Sequence, residues 1–270
     1  EATHQEALAL CVAEREALVG WASAQLLLAA GCETQHLADG AGNGASAAGV
    51  ACGEGEAASA ASAAMPLAAV GLLSAALLLR GDAAAAAAVE ALKALLGAMK
   101  AHRALEDVQQ EGCCALAAYA GTGVDAAKEV ARAGGVKTLL FAMRTHIRSG
   151  EVQAPGVRAL RRVAAASQGC RGVLVAANGV AMLASVMKRH DADPAIQSDG
   201  GACLAALALG GPDGMRALAK DGPEALVGAL RCSGLAADAA DPCREALRSL
   251  VAAEPSLRVR IERANGAKYL

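Results

Sequence analysis

Four glycines, Gly135, Gly179, Gly222 and Gly266, stand 44, 43 and 44 residues apart, each directly before an apolar run. A second phrase keeps the same step. Leu95-Leu96-Gly97-Ala98-Met99-Lys100-Ala101-His102 is followed by Leu139-Leu140-Phe141-Ala142-Met143-Arg144-Thr145-His146, then by Leu183-Ala184-Ser185-Val186-Met187-Lys188-Arg189-His190. A third phrase opens at Val108-Gln109, Val152-Gln153 and Ile196-Gln197, again 44 apart. Three separate phrases sharing one period constrain this chain more than any other feature. Each unit is too small to bury its own apolar face, so neighbours must stack into one continuous core.

Within a unit the pattern reads as a short helix, a glycine and two longer helices. In the best copy the short helix covers 125–133, and Gly134-Gly135 stops it as glycine commonly terminates helices. The second helix covers 136–147, with Val136, Leu139, Leu140 and Met143 on one face. Ser149-Gly150 makes the turn. The third helix covers 152–164, with Val157, Leu160 and Val163 inward and Pro155 in its first turn. In the last copy Asp241-Pro242 reads as an N-cap followed by proline at the first helical position. Composition agrees. The chain is 55% hydrophobic but only 1% aromatic, and its apolar residues are chiefly Ala and Leu, the best helix formers, with few residues that favour strands.

A unit of three helices with a short first one, glycine before the second and V-Q at the start of the third resembles the armadillo repeat. HEAT repeats are the near neighbour, but they have two helices and usually lack this glycine. The resemblance implies an all-α, right-handed α-solenoid of about five armadillo-like repeats with a period of 43–44 residues. The expected divisions are a degenerate N-terminal repeat at 1–90, repeats at 91–134, 135–178, 179–221 and 222–265, and the start of a further unit at 266–270. Because 266–270 matches the opening of a second helix, the array is expected to continue in a longer parent chain. Upstream, 31–56 is rich in Gly, Ala, Ser and Glu and reads as a low-complexity loop inserted into the first repeat. Residues 57–79 carry no charge over a length that could span a bilayer, but Pro66 interrupts them and their first half is Ala and Ser; a buried core helix is the expectation.

The residues that could carry chemistry have plainer readings. His102, His146 and His190 occupy one repeat position. Equivalent side chains on stacked helices step by about 8–10 Å, whereas a zinc ion needs its nitrogens about 2 Å away; no metal site is expected. The nine cysteines contain no C-x-x-C and read as thiols in a reducing, intracellular and cytoplasmic setting, with Cys113-Cys114 as a core pair. Gly40-Ala41-Gly42-Asn43-Gly44 lacks the G-K-[ST] ending and flanking strand of a phosphate loop, and Gly134-Gly135-Val136-Lys137-Thr138 falls at the repeat's own glycine. No catalytic residue, cofactor or metal is expected. A net charge of −2 gives no bulk attraction to nucleic acid, and one Trp, two Tyr and one Phe leave little on which bases could stack.

What remains is protein binding. Armadillo proteins hold peptides along their stacked third helices, and the importin-α type does so with Trp and Asn ladders. Aligned on Leu116, Leu160, Leu204 and Leu247, the Trp positions here read Cys114, Arg158, Ala202 and Glu245, and the Asn positions Ala118, Arg162, Ala206 and Ser249. Both ladders are missing, so nuclear-import-signal peptides are not the expected ligand. In their place stand Arg158, Arg161 and Arg162, then Arg244 and Arg248 two units on. Guanidinium forks suit carboxylate or phosphate groups, and the small Ala202, Ala205 and Ala206 admit a close helix. Arg158, Arg161, Arg162, Ala202, Glu245 and Arg248 are therefore the expected partner-binding residues, for an acidic segment or a packed helix. The expected function is a non-enzymatic interaction scaffold within a larger assembly. The alternative is an accessory module of a larger enzyme, a kinase or ubiquitin ligase, whose catalytic part lies elsewhere.

Overall fold

The computed structural model describes residues 84–232 and 237–270, together with Val70, Gly71 and Ser74. The expected loop at 31–56, and all of 57–79 but those three residues, lie outside them. The chain divides into two compact units, 1–112 and 113–270.

The described residues form twelve α-helices and no strand. In the first unit α1 (Ala84–Ala101) buries Leu92, Leu95, Leu96 and Met99 at helical spacing, and α2 (Glu106–Ala120) begins. The second unit takes up the rest of α2 and then repeats one order. A short helix, a second helix and a long third helix appear as α3 (Val124–Arg132), α4 (Gly135–Thr145) and α5 (Gly150–Ala166). They recur as α6 (Gln168–Ala176), α7 (Gly179–Arg189) and α8 (Pro194–Ala208). The third set is α9 (Pro212–Asp221), α10 (Pro223–Arg231) and α11 (Ala237–Ala253). A further short helix, α12 (Leu257–Arg263), leads to a 3-10 turn at Ala267–Tyr269 where a new second helix was expected to open.

The spaced glycines do something other than end helices. Left-handed backbone belongs to the residue before each of three of them: Gly134 (φ 85°), Asn178 (φ 62°) and Asn265 (φ 63°). The glycine itself is needed for space. A Cβ on Gly135 would sit 2.8 Å from the Val130 carbonyl oxygen, one on Gly179 2.8 Å from that of Leu174, one on Gly222 2.7 Å from that of Leu218, and one on Gly266 2.9 Å from that of Ile261. The second helix thus starts against the backbone of the short helix before it, and only hydrogen fits.

The other two recurring phrases lock into each other. Gln153, fully buried, donates from Nε2 to the carbonyls of Met143 (2.8 Å) and His146 (2.9 Å). Gln197 does the same for Met187 (2.7 Å) and His190 (3.0 Å), and Gln109 in the first unit for Met99 (2.9 Å) and His102 (2.8 Å). Helices end with carbonyls that have no partner of their own; here the third helix supplies one from its side. Three residues on, Gly112, Gly156 and Gly200 leave room for the sulfurs of Met99, Met143 and Met187, which a Cβ would approach to 2.6, 2.9 and 2.7 Å. The histidines therefore mark the end of the second helix. His190 also uses its ring, with Nε2 3.0 Å from the Ile147 carbonyl of the preceding set.

Two local expectations need correction. Asp241 and Pro242 do not cap a helix: α11 is helical from Ala237, and Pro242 is its sixth residue. Pro155 is likewise the sixth residue of α5, which begins at Gly150 behind a Ser149 cap whose Oγ accepts from Val152 N–H (3.3 Å). In α5 and α8 the helix begins two residues ahead of the buried Val152-Gln153 and Ile196-Gln197, where the Ser149 and Asp193 side chains take up free N–H groups of the first turn. The Asp-Pro start does occur, in α8, where Asp193 accepts from the N–H groups of Ala195 (2.9 Å) and Ile196 (3.2 Å) ahead of Pro194. The second correction concerns Cys113-Cys114. Adjacent helical residues point about 100° apart, so Cys113 is buried and Cys114 is exposed.

Candidate interaction surface

The third helices α5, α8 and α11 lie side by side, α8 packing extensively on both neighbours. Their register follows the leucines: Leu160, Leu204 and Leu247 are fully buried. That turns the opposite stripe of each helix outward. Arg158 is exposed and Arg161 and Arg162 are half-buried on α5; Ala202 and Ala206 are half-buried on α8; Glu245, Arg248 and Ser249 are exposed on α11. The positions where a Trp ladder would stand are thus on accessible surface.

The arginines have different duties. Arg158 Nε lies 3.3 Å from one oxygen of Asp199, and Arg161 Nε 3.0 Å from the other. Asp199 is on α8, so one carboxylate ties two guanidiniums across adjacent third helices and leaves one positive charge in excess. Asp199 keeps only 14% of its side chain exposed, against 46% for Arg158 and 41% for Arg161, so the arginine faces stay open to a partner. Arg162 turns away from this pair and donates from Nη1 to the carbonyl of Ala117, near the end of α2. Gly121 makes room for it. Sharing a helix face did not bring Arg158 and Arg162 to one target. On α11, Arg244 pairs with Asp241 (2.6 Å), and Arg248 Nε donates to the Leu270 carbonyl (3.2 Å).

Asp199 was missed by sequence reasoning. It lies 41 residues from Arg158, and the offset between two packed helices cannot be read from either helix alone. Of the buried thiols, Cys203 lies below this surface. Burial pushes it up to about 12, with Arg161 lowering and Asp199 raising it; burial likewise lifts Cys243 to about 12 against the pull of Arg244. Burial also raises Cys113, helped by Cys114. Neutral thiols of this kind are packing groups, not nucleophiles. No single helix among the described residues is long and apolar enough to cross a membrane.

No protein-family model and no curated protein matches the chain. Solved structures do. An engineered protein superposes with a TM-score of 0.58 at 22% identity, over 76% of this chain and 83% of its own. A second engineered protein (TM-score 0.49, 24% identity) covers 70% of this chain and 84% of its own. A designed armadillo repeat protein (TM-score 0.49, 18% identity) covers 70% of this chain and 86% of its own. The short, second and long third helices in fixed order, the crowded glycine between the first two and the side-by-side third helices give this chain an armadillo-like helical-repeat fold.

Proposed function

We propose that this chain is a protein-interaction scaffold whose third-helix surface, from Arg158 and Arg161 through Ala202 to Glu245 and Arg248, receives an acidic segment of a partner protein. The observation that carries this reading is the shared Asp199. Arg158 is hydrogen-bonded and Arg161 ion-paired to one little-exposed carboxylate, so the two half-exposed guanidiniums are gathered at one point with one charge in excess. Pre-organised arginine costs a partner less ordering entropy than a free side chain would. Beside them the small Ala202 and Ala206 leave a strip low enough for a backbone or helix to lie on. Nuclear-import-signal peptides are basic and fit an arginine surface poorly, the net charge of −2 gives no bulk attraction to nucleic acid or anionic membrane, and the reading assigns the chain no catalytic step, cofactor or metal. An intracellular, cytoplasmic setting belongs to the same proposal, since it depends on its thiols staying reduced.

The test places a photo-crosslinking residue at Ala202 or Glu245 of the full chain, with a control at Ala176 on a short helix. The proposal expects one partner to be captured at both third-helix positions through an acidic stretch, with capture falling at least tenfold in Arg158→Ala/Arg248→Ala. Capture at Ala176 alone, or capture indifferent to the arginines, would refute it.

A further inference from the structure

The second helices carry a feature that the third-helix surface does not use. Between α4 and α7 runs a trough of about 560 Å³, with Leu140, Phe141, Ala181 and Met182 along it and Lys137 and Arg144 on its rim. Phe141 is the only phenylalanine of the chain. It stands off the inward face formed by Val136, Leu139, Leu140 and Met143, and is half-buried in this trough. The fold does not ask for it there, because the same position in the sister units is Gly97 and Ser185. Met182 beside it is half-buried too, and methionine is the side chain that adapts to varied apolar surfaces.

The trough's lining holds Lys137 and Arg144 and no acid, and neither α4 nor α7 carries an acidic residue. Cations in the last turn of a helix are explained by its dipole, which accounts for Arg144, Lys188 and Arg189. It does not account for Lys137, which sits in the first turn of α4, where a positive charge opposes the dipole. The next trough along, between α7 and α10, is larger at about 690 Å³ but mixes Lys188, Lys220 and Arg260 with Asp221 and Glu224, and Arg260 and Glu224 pair at 2.7 Å. The contrast singles out the α4–α7 trough as apolar along its floor and free of acids at its rim, where Arg144 lies over the Phe141 ring at 5.9 Å and pairs with no carboxylate among the described residues.

Lys137 and Arg144 are seven residues apart, two helical turns or about 10 Å. That is the length over which a partner helix presents apolar residues at i, i+3 or i+4, and i+7. We propose that the α4–α7 trough docks a short amphipathic helix of a partner protein whose apolar stripe covers Phe141 and Met182 and whose flanking carboxylates meet Lys137 and Arg144.

The test uses the full chain and a fluorescein-labelled 16-residue helical peptide with leucines on one stripe and glutamates beside it, read by anisotropy. A second peptide has every glutamate replaced by lysine. The acidic peptide should bind at least tenfold more tightly than the basic one. Lys137→Glu/Arg144→Glu should weaken it at least tenfold and invert that preference, and Phe141→Ser should weaken both peptides. Met182→Lys gives an independent apolar probe should Phe141→Ser unfold the chain, as judged by circular dichroism. Arg158→Ala/Arg248→Ala should leave binding unchanged, which separates this site from the third-helix surface. The proposal is overturned if both peptides bind equally or not at all, or if binding is lost with Arg158 and Arg248. It is also overturned if Lys137→Glu/Arg144→Glu instead abolishes binding to phosphatidylserine vesicles, or self-association in sedimentation.

Discussion

Glycine at the start of the second helix can be tested as a matter of space by two identical substitutions seven residues apart. Gly172 is exposed inside α6 and a Cβ there would touch nothing within 4 Å. Gly172→Ala should therefore raise stability by about 0.5–1 kcal/mol, the ordinary gain from removing glycine's backbone freedom in a helix. Gly179 begins α7 with ordinary negative-φ backbone, so the same gain is available to it. A Cβ there, however, would lie 2.5 Å from Leu174 Cδ1, 2.7 Å from Cγ and 2.8 Å from the carbonyl oxygen. The leucine is fully buried and the carbonyl is backbone, so neither can step aside cheaply. Parting the two helices by about 0.6 Å at the carbonyl alone is the kind of overpacking that costs about 1–3 kcal/mol. Gly179→Ala should end near 1–2 kcal/mol less stable than wild type, and lower the thermal midpoint by about 2–8 °C. Urea melts of the two variants and the wild type, followed at 222 nm, check both signs. If Gly179→Ala is as stabilising as Gly172→Ala, the glycine is not there for close approach and the account of the repeat signature fails.

Other expectations follow from the same contacts. Gln153→Ala strips two helix-end carbonyls of their buried donor while also removing an Oε1 that has no partner, and should cost about 2–4 kcal/mol in a urea melt. The exposed Lys93→Ala should stay within about 0.5 kcal/mol as a control. In peptide-resolved alkylation of the native chain, Cys114 should react first among the described cysteines, Cys232 next, and the buried Cys113, Cys170, Cys203 and Cys243 only after unfolding. Cys203 and Cys243, raised from 9.0 to about 12, stay protonated in the fold after the unfolded chain has begun to ionise. The unfolded state then binds fewer protons than the native one, so their contribution, complete below pH 9, is lost as pH climbs toward 12. Cys203→Ala/Cys243→Ala should flatten that part of a stability-against-pH curve; an unchanged slope would contradict the assignment.

The candidate site was legible in part. The leucine register placed Arg158, Ala202, Glu245 and Arg248 on accessible surface, because which side of a helix is buried is written in its own periodicity. The destination of each arginine was not legible. Arg158 and Arg162, one turn apart on α5, end on Asp199 and on the Ala117 carbonyl, and both partners come from other helices. The same leucine register separates Cys113 from Cys114, because the helix turns by about 100° between them and Cys114 shares the outward stripe of Arg158 and Ala202.

By itself, then, the sequence determined the repeat length, the order of short, second and third helices, and the inward leucines. These depend on spacing along one chain segment, and local periodicity carries them. Only the tertiary structure decided why the glycines recur, what Gln109, Gln153 and Gln197 hold, where Asp241-Pro242 falls in its helix, and that Phe141 shares a trough with Met182 of the next unit. Each of these depends on how closely one helix approaches another, or on the offset between them. A repeat unit states that it will stack; the fit between stacked helices is set by contacts some 40 residues apart, which no single unit spells out.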